Sequence, residues 1–265
     1  MKKHVFSALL SLCMVLALSL SVMASAKSDI KYCTSSADVA EVVYEGYNQD
    51  KQGPVQIAEG KYTSNAGNTF DVYVVFVSGT ENEVLWASNN GFSLDMAAIN
   101  LKNSPYYYHI KSIIRNNIPK GSRIILVGHS LGGMMTQQLA TDDTLKDEYI
   151  IKYDLCYGAP LTQMNDEREG GLQRLGDWFD PIPFETANIL TNTKEAVTYS
   201  RENGGYYIDV YNAHMSSYDD ADTWGDYDVT GKKGGKATLA LDMSTRTFYK
   251  SDYTLIIDEL IADLS

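Results

Sequence analysis

The sequence predicts an α/β fold with a mostly parallel central sheet flanked by helices, and three observations predict it. Arg123-Ile124-Ile125-Leu126-Val127 is a short apolar run, a helical pattern follows from Leu131 through Ala140, and a second run, Tyr153-Asp154-Leu155-Cys156-Tyr157, comes after it. Strand, helix and strand in that order imply parallel pairing through right-handed crossovers. Tyr73-Val74-Val75-Phe76-Val77 is apolar at every position, as a strand buried on both faces must be. Finally, 265 residues with 44% hydrophobic content suffice for one full core without a second domain.

The first residues, Met1-Lys2-Lys3-His4, precede an apolar run from Val5 to Val22 and the small residues Ala24-Ser25-Ala26. This is the pattern of a secretory signal peptide over residues 1–26, leaving a single domain over residues 27–265. Lys2 and Lys3 leave with the signal and no acidic residue does, which moves the formal charge from −12 to −14. So acidic a chain repels phosphate backbones and anionic membrane surfaces, so nucleic acid is excluded as a partner and an exoprotein, free or held in the cell envelope, is expected. Cys33 and Cys156 remain after cleavage, either as one disulfide in an oxidising compartment or as buried free thiols.

Ser35-Ser36 caps a predicted helix carrying Val39, Val42 and Val43 on one face. Strands are expected over Val55 to Tyr62 and Thr69 to Val77, joined by the turn Asn65-Ala66-Gly67-Asn68. Ser104-Pro105 opens a helix with Tyr106, Ile110, Ile113 and Ile114 at helical spacing, and Pro119-Lys120-Gly121 ends it. Further strands are read around Ala196 to Ser200, Tyr206 to Tyr211 and Thr238 to Leu241, with a hairpin turn at Lys232-Lys233-Gly234-Gly235. A last helix, capped by Ser251, carries Ile256, Ile257, Leu260 and Ile261.

Gly128-His129-Ser130-Leu131-Gly132 fits G-x-S-x-G between a strand and a helix, which is the setting an α/β-hydrolase nucleophile elbow requires. The serine must sit in a tight turn, and the flanking glycines leave room for the backbone to approach closely. The helix that begins at Leu131 aims unpaired N–H groups at the same place, where an oxyanion would form. Acid and histidine follow the nucleophile in this fold, and His214 is the one histidine downstream of Ser130. His129 is expected to point away from the elbow, and His109 lies upstream on a helix border. For the acid, Asp180 stands in the stiff segment Asp180-Pro181-Ile182-Pro183, with Asp177 as the alternative.

Four segments in order resemble the class 3, or fungal-type, lipases: Val75-Phe76-Val77-Ser78-Gly79-Thr80, Gly128-His129-Ser130-Leu131-Gly132-Gly133, Tyr157-Gly158-Ala159-Pro160 and Asp180-Pro181-Ile182-Pro183. The resemblance runs from about Tyr73 to His214. It implies Ser130, Asp180 and His214 as the catalytic triad, with Thr80 and the Leu131 backbone as the oxyanion hole. That family usually has an arginine where Ser78 stands. It also carries a lid in the interval that Ser88 to Asn103 occupies here, where an ordinary packed helix is the other reading.

The crowded aspartates Asp219, Asp220, Asp222, Asp226 and Asp228 do not fit the calcium-loop pattern, because Trp224 occupies a ligand position and no closing glutamate follows. A solvated acidic loop is expected, with no metal and no cofactor. The expected function is hydrolysis of a small-molecule or lipid ester, with transient contact at a lipid interface. Thioesterase, peptidase or acyltransferase chemistry on the same parts, or non-catalytic binding, are the competing readings.

Overall fold

The computed structural model describes residues 29–47, 54–79, 104–162, 167–168, 170–177, 180, 182–184, 197–199 and 210–250, with backbone alone at 105, 184, 197–199 and 210–212. The expected signal peptide, Thr80, the Ser88 to Asn103 interval and the final helix from Ser251 lie outside the described residues.

The described strands are β1 (Ile30–Cys33), β2 (Val55–Thr63), β3 (Thr69–Val77), β4 (Arg123–His129), β5 (Ile150–Tyr157), β6 (Gly171–Gly176), β7 (Val197–Tyr199) and β8 (Thr238–Tyr249). They form one sheet in the order β1-β8-β2-β3-β4-β5-β6-β7. From β3 to β7 every neighbouring pair is parallel. The β1-β8-β2 wing is antiparallel and joins β3 antiparallel. This is the mostly parallel, helix-flanked sheet of an α/β-hydrolase fold.

The helices are α1 (Ser36–Tyr44), α2 (Pro105–Asn117), α3 (Leu131–Ala140), α4 (Asp143–Glu148), α5 (Val210–Ser216) and α6 (Ala221–Trp224), and two short 3-10 turns, Glu45–Tyr47 and Ile182–Phe184, complete the described elements. A capping box starts α1: Asp38 N–H donates to Ser35 Oγ at 3.2 Å, and Ser35 N–H donates to Asp38 Oδ2 at 3.0 Å. Ser104 Oγ accepts from Tyr107 N–H and Pro105 takes the first position of α2, where a missing N–H costs nothing.

The apolar strands are double-sided because two cores share the sheet. Val74, Phe76, Ile125, Val127 and Leu155 pack on the face that carries Val39, Val42 and Val43 of α1 and Trp224 of α6. Val75, Val77, Ile124 and Leu126 pack on the opposite face, against Ile110 and Ile114 of α2 and Met134 and Leu139 of α3. Each fully buried aliphatic or aromatic side chain contributes about 1.5–3 kcal/mol of transfer free energy.

Some elements differ from expectation. The strand read over Tyr206 to Tyr211 is contradicted at its end, because Val210 and Tyr211 open α5. That helix puts Ala213 and His214 into the interior, and tertiary packing overrides the weak strand propensity there. The last strand runs on to Tyr249 because β2 needs a partner along its whole length, from Thr63↔Thr238 to Val55↔Tyr249. Lys232 to Gly235 turns the chain back on itself, with Tyr227 paired antiparallel to Lys233 and Asp228 N–H donating to the Lys232 carbonyl, but the turn joins no two strands of the sheet. Cys33 and Cys156 are both buried free thiols, which settles the alternative left open above. Burial pushes the Cys33 thiol up to about 12 and that of Cys156 well above the usual range, so both stay protonated and inert.

Candidate active site

Parallel register brings the ends of β3, β4, β5 and β6 to one edge of the sheet, through the pairs Val77↔Gly128, His129↔Tyr157 and Tyr157↔Leu175. Side chains just past those ends converge there, as expected for an α/β sheet. A groove of about 700 Å³, lined in part by Tyr32, Lys61, Asp71 and Arg123, opens at the opposite edge and takes no part in this site.

Ser130 joins β4 to α3 with φ 56° and ψ −128°, and among the described residues it is the one non-glycine with positive φ. That ψ lies outside the left-handed helical well, so the turn stores roughly 1–3 kcal/mol of strain. Packing holds it there. A Cβ on Gly128 would lie 2.6 Å from Gly132 and Gly133 backbone atoms, so only glycine lets helix and strand approach this closely. Ser130 N–H donates to the Tyr157 carbonyl at 2.9 Å, and the Ser130 carbonyl accepts from Gly133 N–H at 2.9 Å. Ser130 is 1% exposed, and its Oγ makes no hydrogen bond among the described residues. Ser130 Oγ therefore makes no hydrogen bond to an imidazole in this arrangement.

His214 and Asp180 are joined directly. His214 Nδ1 donates to Asp180 Oδ2 at 2.8 Å, and both residues are fully buried. A carboxylate accepts, so Nδ1 carries the proton and Nε2 presents the lone pair that a general base uses. The acid sits in a closed turn, its Oδ1 accepting Ile182 N–H at 3.0 Å and its own N–H donating to the Asp177 carbonyl at 3.1 Å. Asp177 is also buried, but the structure joins Asp180 and not Asp177 to the imidazole.

Gly158 follows β5 with φ 53°, and a Cβ there would stand 2.7 Å from Asp180 Oδ2 and 3.1 Å from His214 Cε1. The pair thus packs on the end of β5, next to the elbow at the end of β4. Thr80 is not described, yet its neighbour Gly79 lies against the nucleophile, since a Cβ on Gly79 would be 2.7 Å from Ser130 Cβ. Leu131 is the first residue of α3, so its N–H has no partner within the helix.

A family model, the PGAP1-like alpha/beta domain, matches residues 55–206 of this chain. The chain belongs to the PGAP1-like alpha/beta domain family, a family of α/β-hydrolase type. No curated protein and no solved structure matches it. The PGAP1-like match runs from β2 through β7 and so takes in the elbow and Asp180.

Around these residues are groups that sequence reasoning missed. Tyr218 O–H donates to Asp180 Oδ2 at 2.7 Å while its oxygen accepts Asp177 N–H at 3.0 Å. Burial, and then the Asp180 charge, push its phenol well above the usual range, so it remains a donor. Arg174 is buried on β6, its Nε and Nη2 donating to the Ala159 carbonyl at 3.0 and 2.6 Å and its Nη2 to the Pro183 carbonyl at 2.9 Å. It clamps the loop after β5 to the Asp180 loop.

His129, expected to point away from the elbow, is a fully buried imidazole with its ring centroid 4.6 Å from that of His214. Burial and then the neighbouring His214 hold its imidazole well below the usual histidine range, against the opposing effect of its hydrogen bond to the His214 carbonyl. His109 lies elsewhere, bonded to the Lys250 carbonyl at 3.0 Å. Among the described residues no group of three side chains fits a metal ion. In the acidic loop, Asp228 is spent on Asn65, Thr230 and the Ala237 N–H.

Proposed function

We propose that this protein is a secreted serine hydrolase that cleaves carboxylic esters, with Ser130 as nucleophile, His214 as base and Asp180 as the orienting acid. The observation that carries this reading is the strained Ser130 elbow beside a buried, hydrogen-bonded His214–Asp180 pair. Neutral His214 takes the Ser130 hydroxyl proton through Nε2 as Oγ attacks the ester carbonyl. Asp180 holds the Nδ1–H tautomer and stabilises the imidazolium. The Leu131 N–H, together with Thr80, receives the oxyanion. His214 then protonates the leaving alcohol, and water repeats the sequence on the acyl-enzyme.

Resemblance to the class 3 lipases supports a lipid or other acyl ester as substrate and a transient meeting with a lipid interface. The Lys2 to Ala26 pattern supports export, to the medium or the cell envelope, of a single domain over residues 27–265. The chemistry requires no metal and no cofactor.

The test is labelling of the purified protein with a fluorophosphonate, located by mass spectrometry, beside hydrolysis of an ester panel from short to long chains. Label at Ser130, and a loss in turnover of about 10³-fold or more in Ser130→Ala with an unchanged circular dichroism spectrum, are expected. Near-normal turnover by Ser130→Ala, or label on another residue, would sink the assignment.

A further inference from the structure

Proton counting around His129 gives a chain of hydrogen bonds with one consistent direction. Gly79 N–H can only donate, and it donates to the Tyr47 hydroxyl oxygen at 2.8 Å. The hydroxyl of Tyr47 lies 2.5 Å from His129 Nδ1, and His129 Nε2 lies 2.8 Å from the His214 carbonyl oxygen. A carbonyl only accepts, so Nε2 carries the His129 proton. In the neutral ring Nδ1 is then bare and takes the Tyr47 O–H. Burial keeps the His129 ring neutral, so the chain runs from Gly79 N–H to Tyr47, from Tyr47 O–H to His129 Nδ1 and from His129 Nε2–H to the His214 carbonyl.

Both ends of the chain are places where chemistry is sensitive to position. Gly79 precedes Thr80 and lies against Ser130; His214 bears the imidazole joined to Asp180. Nothing in the β-strand register itself ties the loop after β3 to helix α5. The His129 ring does so from the core, held by the edges of Tyr44 at 5.0 Å and Tyr218 at 5.7 Å. His129 is also the residue immediately before Ser130, so movement of this ring is transmitted to the elbow as well.

We propose that Tyr47 and His129 are positioning residues that set the backbone of His214 and of the Gly79 loop relative to Ser130, so that base and oxyanion donors are held in one geometry. This rests on the ester-hydrolase reading above. They act on the transition state and not on substrate affinity, since neither touches the reacting atoms, so their loss falls on kcat.

The experiment measures kcat and KM on a soluble short-chain ester, with melting temperature, for Tyr47→Phe, His129→Gln, His129→Leu and the Tyr47→Phe/His129→Leu double variant. Tyr47→Phe should lower kcat about tenfold with KM within about twofold and little change in melting temperature. His129→Gln, which keeps an N–H for the His214 carbonyl, should retain more turnover than His129→Leu. The double variant should be no slower than the slower single one, because a broken chain cannot be broken twice. Unchanged kcat in Tyr47→Phe, or losses that multiply in the double variant, overturn the proposal.

If His129→Leu fails to fold, Tyr47→Phe decides alone. Wild-type protein that neither turns over esters nor takes the phosphonate sinks the hydrolase reading, and the positioning is then read spectroscopically. In ¹⁵N-histidine spectra Tyr47→Phe should move or broaden the His214 Nδ1–H signal. A signal that stays in place overturns the inference.

Discussion

Tyr218 donates its hydroxyl proton to the same Asp180 oxygen that receives the His214 Nδ1–H. With Ile182 N–H on the other oxygen, the carboxylate is held by three donors and cannot turn away from the imidazole. Tyr218→Phe removes one of these and also leaves the buried Asp177 N–H without its acceptor. A lost hydrogen bond to a charged group costs about 1.5–3 kcal/mol, so steady-state kcat should fall roughly 10- to 100-fold. A wild-type kcat in the folded variant would show that Tyr218 only fills space.

Asp180→Asn keeps the shape of the carboxyl group but turns an N–H₂ toward His214 and favours the wrong imidazole tautomer. Loss of up to ~10⁴-fold in turnover is expected. Asp177→Asn should stay within about tenfold of wild type, because the His214 Nδ1–H is bonded to Asp180. Ester kinetics on both variants rank them, and the reverse order would move the acid role to Asp177.

Gly158→Ala places a methyl group between the end of β5 and the acid–base pair. The substitution also meets φ 53°, which costs an L-residue about 1–2 kcal/mol. Turnover should drop by about 100-fold or more with the melting temperature lowered by several degrees, since Asp180 and His214 must both yield. Retained turnover in this variant would mean that the pair shifts freely, against the rigidity described.

Asp154 is buried under α3 with its carboxyl pushed up to about 7, chiefly by desolvation; hydrogen bonds from Thr136 and Cys156 and the charge of Arg168 oppose the shift. Its folded value therefore lies above its unfolded one, and between about pH 4 and 7 the folded chain keeps a proton that the unfolded chain releases. This group's contribution is most favourable below that window, declines as pH rises through it, and is flat above 7. Asp154→Asn should be more stable than wild type at pH 8 and lose that advantage near pH 4, by on the order of a few kcal/mol in urea unfolding. Parallel pH profiles for the two proteins would count against a buried, protonated Asp154.

Local signals carried far in this chain. The glycines around Ser130 and the strand–helix switch are properties of a few neighbouring residues, so the elbow is legible without a structure. Proline after Asp180 marks a stiff loop in the same way, and the His214–Asp180 bond joins two residues singled out from sequence. Tyr47, His129 and Tyr218 were not legible, because their roles are contacts across long stretches of chain, such as His129 with His214. Hydrophobic period says which face of a strand is buried but not which strand lies beside it. Nothing in Ile30 to Cys33 or Thr238 to Tyr249 announces that they pair with each other, or that β8 lies between β1 and β2.

That insertion has a consequence for how the protein is made. Among the described strands, β1 finds its sheet partner only once Leu239 to Asp242 has been made, and the outer edge of β2 is covered in full only once Tyr249 has been made. The sheet can grow from β3 outward as chain appears, but its antiparallel wing closes only through pairings nearly two hundred residues apart, which is slow relative to local contacts. Nascent chains of this protein should therefore be captured by chaperones at the β2 edge late into translation, and ribosome-stalled chains ending before Thr238 should remain sensitive to protease there.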